Sequence, residues 1–295
     1  MKVHMENMIE VRNLCKNYNT FSLKNVNFSL PEGSIMGFIG ENGAGKTTTI
    51  KLLLNEVKRD GGKIRIFGMD NIKDEIKIKS QIGTVFDESY FYGGFTVEDI
   101  EKILKNVYKT WDSSLYAQYL RNLSLPRNKR IKEFSKGMKM KLSIASALSH
   151  HPRLLILDEA TSGLDPVMRS EILDVFLNFI QDEKCGVLFS SHITSDLEKV
   201  ADYVTFIHNG SIVFSSSKDE LADNFGILKC GASEFPNLDH SDFLRWRKGS
   251  FECEALVKNK AQVKRKYPDC IVDMQHLTKS CCFILRGKKY ERASY

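Results

Sequence analysis

The 295-residue chain contains nothing close to the ~18 consecutive apolar residues of a membrane-spanning helix. Any membrane channel it serves is therefore expected on another polypeptide. Its opening, Met1-Lys2-Val3-His4, lacks the apolar core of a secretory signal. The seven cysteines, Cys15, Cys185, Cys230, Cys253, Cys270, Cys281 and Cys282, are accordingly expected to be reduced thiols. None stands in metal-ligand spacing, and the vicinal pair Cys281-Cys282 beside Phe283-Ile284-Leu285 reads as part of a buried strand rather than a redox centre. Net charge is missing from most of the chain: residues 1–225 balance acid and base, so the whole formal charge of +6 falls in residues 226–295. Lys258, Lys260, Lys264, Arg265 and Lys266 form one basic group there, and Arg286, Lys288, Lys289 and Arg292 another. A solvated face and contact with anionic lipid both suit them. No nucleic-acid reading motif or interleaved aromatics accompany the charge, so no nucleic-acid partner is expected.

What is present begins with Gly40-Glu41-Asn42-Gly43-Ala44-Gly45-Lys46-Thr47, which fills every fixed position of the phosphate-loop pattern G-x-x-x-x-G-K-[ST]. The apolar run Ser34 to Ile39 precedes it at strand length, and Thr48 to Leu54 continues at helical spacing. Glycines at 40, 43 and 45 let the backbone curl until successive N–H groups face phosphate, and a helix starting near Lys46 adds its positive dipole end. Lys46 supplies a mobile cation, and the Thr47 hydroxyl is the expected Mg²⁺ ligand. The sequence thus predicts a nucleoside-triphosphate site. Leu154-Leu155-Ile156-Leu157-Asp158-Glu159 supplies its second half: an apolar run with the pattern of a buried parallel strand, delivering two carboxylates at its end. Asp158 suits the Mg²⁺ shell, and Glu159 is placed to take a proton from an attacking water.

A second helix start lies between them. In Phe134-Ser135-Lys136-Gly137-Met138, Ser135 is a good N-cap and Gly137 permits close backbone approach, after which Leu142, Ala145 and Leu148 recur at helical spacing. One triphosphate cannot easily sit on two separate helix N-termini of one domain. The second terminus is therefore expected to complete a site on another copy.

From about Ile9 to Asn224 the chain resembles the ATP-binding cassette family, the motor subunits of ABC transporters. The motifs stand in family order: phosphate loop Gly40 to Thr47, signature Ser135-Lys136-Gly137, Walker B Leu154 to Asp158, Glu159, the D-loop Ser162-Gly163-Leu164-Asp165 and the switch Ser191-His192. The resemblance implies ATP and Mg²⁺ as ligands, with Gly40, Asn42, Gly43, Ala44, Gly45, Lys46, Thr47 and Thr48 around the phosphates and Tyr18 stacked on adenine. It implies two cassettes head to tail, Ser135 and Gly137 reaching the γ-phosphate of the partner's ATP, and His192 contacting that phosphate while helping hold Glu159. It also implies separate transmembrane permease subunits and a cytoplasmic, peripheral position at the inner face of the cell membrane. Overall similarity is to the bacterial exporters of the ABC-2 type. The alternative from another class is a soluble cassette ATPase that remodels or regulates a macromolecular partner.

Two departures stand out. The signature usually reads Leu-Ser-Gly-Gly-Gln, and here Phe134 to Met138 keeps the Ser and the second Gly; Lys136 either adds charge near the phosphate or is a solvated lysine. Asp87 occupies the place of a family glutamine that touches Mg²⁺, so it is a metal or coupling candidate. Tyr90, Phe91, Tyr92 and Phe95, just beyond it, suit either a docking groove for a membrane subunit or ordinary core packing. A single motif set disfavours chains carrying two cassettes, and the heptad arms of chromosome-maintenance relatives are missing. The expected fold is a P-loop NTPase of α/β class with a parallel-centred sheet, an N-terminal antiparallel portion including Phe21 to Leu30, and a helical insert over 96–150 opened by a capping-box-like Thr96-Val97-Glu98-Asp99. The cassette is expected over 1–225, with a small basic α+β appendage over 226–295 built on strands at 251–257, 270–274 and 281–285, and a boundary in 224–238, where Gly226, Gly231 and Pro236 cluster.

Overall fold

The computed structural model describes residues 6–88 and 90–273. The chain divides into two compact units, residues 1–215 and 216–295.

In the first unit, β3 (Ile35–Ile39), β7 (Leu154–Asp158) and β8 (Gly186–Ser191) are buried at every residue. Continuous apolar runs of this kind suit strands covered on both faces, and these three lie side by side in a six-stranded sheet. Its order is β10 (Ser211–Ser217), β9 (Tyr203–His208), β3, β8, β7, β6 (Ile82–Phe86). The pairings β9 to β3, β3 to β8, β8 to β7 and β7 to β6 are all parallel. Asn209-Gly210, both with positive φ (47° and 74°), link β9 to the edge strand β10, as a tight hairpin turn requires. A second sheet of order β2 (Ser22–Pro31), β1 (Asn7–Asn17), β4 (Gly61–Ile66), β5 (Met69–Asp70) is antiparallel and carries the expected N-terminal portion. Leu14, Leu23, Ile64 and Val26 from this sheet share one core with Phe38, Ile50 and Ile156.

Helix α1 (Lys46–Leu53) follows β3, and the short α2 (Glu75–Lys79) precedes β6. The insert comprises α3 (Val97–Val107), α4 (Ser113–Asn122) and α5 (Lys136–Leu148). Its start is the capping box read in the sequence: Thr96 N–H donates to Asp99 Oδ2 at 3.1 Å, and Asp99 N–H to Thr96 Oγ1 at 3.3 Å. The insert has its own core of Val97, Ile100, Tyr116, Leu120, Phe134 and Leu142. Phe91 and Phe95 pack against it, whereas Tyr90 and Tyr92 stay exposed. Helix α6 (Pro166–Phe179) lies between β7 and β8, and α7 (Thr194–Val200) between β8 and β9.

The second unit begins with α8 (Lys218–Asn224). A four-stranded sheet of order β12 (Phe243–Lys248), β13 (Glu252–Lys258), β11 (Phe225–Gly231), β14 (Ile271–Asp273) and helix α9 (Lys260–Lys266) complete it. Leu228, Phe235, Phe243, Cys253, Val257 and Val263 form its core. The division falls at 215/216, ahead of the expected 225/226, and residues 225–231 are strand β11. Gly226 sits inside that strand because a Cβ there would lie 3.0 Å from Val272 Cγ1 and 3.1 Å from Lys260 Cβ, so the glycine marks close packing and not a turn. The strand expected at 281–285, the Cys281-Cys282 pair and the basic group at 286–292 lie outside the described residues. Cys15, Cys185, Cys230, Cys253 and Cys270 are free thiols.

Candidate functional site

Gly40 leaves β3 where a side chain would have no room: its Cβ would stand 2.6 Å from the Ile207 carbonyl oxygen. Gly45, at φ 114°, has a backbone that L side chains rarely adopt, and a Cβ there would meet Leu23 Cδ2 at 2.6 Å and Phe21 Cζ at 2.9 Å. Helix α1 begins immediately afterwards with no side-chain cap. Thr49 N–H bonds the Gly45 carbonyl at 2.9 Å, so the N–H groups of Lys46, Thr47 and Thr48 have no acceptor one turn back within the helix. Asn42, Gly43 and Thr47 are exposed, Thr48 is half-buried, and Ala44 is buried.

Lys46 is 5% exposed, and its Nζ donates to the Gly40 carbonyl at 2.8 Å and the Glu41 carbonyl at 3.3 Å. It also stands 3.0 Å from Glu159 Oε1. That oxygen accepts no hydrogen bond, so the contact is an ion pair without hydrogen-bond alignment. The other carboxylate oxygen, Oε2, is 2.6 Å from His192 Nδ1. Glu159 follows β7 with φ 55°, a left-handed backbone uncommon outside glycine and concentrated at functional positions. Its N–H bonds the Ser190 carbonyl at 3.1 Å and Ser190 Oγ at 3.2 Å. Ser190 Oγ in turn donates to Asp158 Oδ1 at 2.5 Å. The ends of three neighbouring parallel strands, β3, β8 and β7, thus bring Lys46, His192, Asp158 and Glu159 together. Ser190 is the residue the sequence reading missed. Its signal was a polar pair closing an otherwise apolar strand directly before His192.

The remaining candidates sit around this cluster. Tyr18 N–H bonds the Phe21 carbonyl at 2.8 Å, which places its half-exposed ring on the loop whose Phe21 packs on Gly45; Lys16 Nζ lies 5.4 Å from the ring centre. Asp87 is exposed and follows Phe86, the register partner of Asp158, lining a 370 Å³ cavity with Lys136 and Lys139. Ser135 caps α5 by accepting from Met138 N–H at 3.2 Å. Gly137 is buried against α6, where a Cβ would lie 2.2 Å from Met168 Sδ. Neither joins the Lys46–Glu159 cluster. Among the described residues, no group of three or more His, Cys, Asp and Glu side chains forms a metal site by itself.

A phosphate loop on β3 beside paired acids on β7 and a histidine on β8 defines a phosphate-loop nucleotide hydrolase. The family model described as ABC transporter matches residues 23–162. The bacitracin transport ATP-binding protein BcrA of Bacillus licheniformis is 35% identical over 220 residues, covering 74% of this chain and 72% of that protein. The lantibiotic transport ATP-binding protein SrtF of Streptococcus pyogenes is 34% identical over 215 residues, covering 72% and 92%. A solved structure of an ATP-binding subunit of an ABC transporter superimposes with a TM-score of 0.65 at 28% identity, covering 72% of this chain and 91% of that one. The chain belongs to the ABC transporter family, as an ATP-binding subunit with ATPase activity.

Proposed function

We propose that this chain is the ATP-driven subunit of an exporter, working in pairs and passing its motion to separate membrane subunits from the inner face of the cell membrane. The observation that carries the reading is the meeting of Lys46, Glu159 and His192 where β3, β7 and β8 end. Export is favoured by the relatives named for bacitracin and lantibiotic transport.

Lys46 and the first-turn N–H groups of α1 hold the phosphates, with the backbone from Gly40 to Thr48 curled around them. The Thr47 hydroxyl and the Asp158 carboxylate are hard oxygen donors that fit Mg²⁺, with Asp87 a third candidate. Bound there, the ion supplies positive charge against the phosphate oxygens. Glu159 takes the proton of the attacking water, and His192 and Ser190 hold it in place: one through the carboxylate, the other through the backbone N–H. Tyr18 offers its ring face to adenine. Ser135 and Gly137, which stand apart from the cluster of their own chain, serve the site of a second copy.

The test is to tag the Glu159→Gln chain, trap it with ATP and Mg²⁺, solubilise membranes in detergent and identify what co-purifies. A stoichiometric multi-span protein is expected. An ATP-bound homodimer with no membrane partner would overturn the exporter reading in favour of a soluble regulatory ATPase.

A further inference from the structure

The start of α6 touches both the start of α5 and helix α7. Asp165 caps it, its Oδ1 accepting from the N–H groups of Val167 and Met168, each at 3.0 Å. Met168 occupies the space that Gly137 leaves at the start of α5. Arg169 donates from Nε to Asp196 Oδ2 at 3.1 Å and from Nη2 to Oδ1 of the same carboxylate. Asp196 is buried on α7, the helix that opens just after His192. Farther along, Lys141 of α5 bonds Glu171 of α6 at 2.6 Å.

Burying a carboxylate costs solvation that its partner barely recovers, and a hydrophobic pair of equal volume would often hold two helices as firmly. What a fork-shaped guanidinium on a carboxylate adds is fixed direction, since two parallel bonds allow little rotation or sliding. Here that fixed direction is applied between α6, braced against Gly137, and α7, which carries on from His192.

We propose that the Arg169–Asp196 pair is a positioning device for hydrolysis, keeping His192 aligned on Glu159 in register with the signature segment at Gly137. It rests on the reading of His192 given above. Misplacing a catalytic group by an ångström can cost 10²-fold in rate, so loosening one tether is expected to act on turnover and not on ATP affinity.

ATP turnover and equilibrium ATP binding of the full chain test this in Asp196→Asn, Asp196→Glu, Arg169→Met, the Arg169→Met plus Asp196→Asn double variant and His192→Ala. Asp196→Asn is expected to lower kcat about tenfold with the KM for ATP changed less than about twofold, and Asp196→Glu to retain kcat within about threefold. Arg169→Met combined with Asp196→Asn should be no slower than the worse single variant, because residues that act as a unit do not add. His192→Ala is the reference. If His192→Ala is impaired while Asp196→Asn keeps kcat within about twofold of the unaltered chain, the tether is overturned alone. If His192→Ala turns over normally, the role of His192 and the tether fall together. If Asp196→Asn loses ATP binding and folded fraction in step with kcat and Asp196→Glu is no better, the pair is merely structural and the proposal is overturned.

Discussion

Glu159 is gripped from both sides, by Lys46 at one oxygen and His192 at the other, on a backbone that glycine would adopt more readily. Replacing it with Gln keeps the shape and removes the proposed base. Lys46 retains its carbonyl partners Gly40 and Glu41, so the phosphate loop keeps its form. Turnover of Glu159→Gln is expected to fall by about 10² to 10⁴ while ATP stays bound and the apparent mass on gel filtration shifts to that of a dimer. Near-normal turnover would contradict the assignment. At this scale the sequence was informative because phosphate chemistry needs fixed residue types at fixed spacing: Lys46, Asp158 and Glu159, which the fold brings together, could be singled out from the chain alone. Ser190 could not. A serine at a strand end is common, and only the pairing of β7 with β8 sets its hydroxyl between Asp158 and the Glu159 amide.

Among the elements, the junction of β6, the loop after α3 and the loop after α5 holds a buried titratable group. His150 stacks on Tyr108 with ring centres 3.9 Å apart, and its Nε2 bonds the Ile82 carbonyl at 3.2 Å. The two rings share a 190 Å³ cavity with Phe86, Tyr90 and Phe91. Burial pushes the imidazole down to about 4, against about 6.5 in an unfolded chain. Between those values the unfolded state binds more protons, so stability rises with pH and is lost on acidification. This one group should remove about 1.2 kcal/mol between neutral pH and pH 5.5. Denaturant unfolding of the chain and of His150→Phe at both pH values checks it: the variant, though less stable at neutral pH for want of the Ile82 bond, should show a shallower loss. An equal loss in both would refute it. The helices α3 and α5 were legible from capping residues, Thr96 with Asp99 and Ser135, because an N-terminus must satisfy its own N–H groups locally. That Phe91 packs inward and Tyr90 does not was illegible, since neighbouring aromatics in a loop carry no periodicity.

The whole molecule consists of two units with separate cores, and every residue of the Lys46–Glu159 cluster belongs to the first. A chain ending at residue 217, with β10 kept whole, is therefore expected to fold and to bind ATP within a few-fold of full length, as read by circular-dichroism melting and nucleotide titration. Loss of folding would show that the second core supports the first. The point of division was not legible at glycines 226 and 231, which look alike in sequence whether they turn a chain or admit a neighbour. No helix among the described residues is long and apolar enough to cross a membrane. By itself the sequence determined the phosphate loop, the paired acids, the buried parallel strands and the helix caps, because each depends on residues adjacent in the chain. The tertiary structure alone decided the strand order that places β8 between β3 and β7, the ion pair from Lys46 to Glu159, the serine bridge and the Arg169–Asp196 tether. These join positions far apart along the chain, and no local preference encodes which distant partner a side chain will meet.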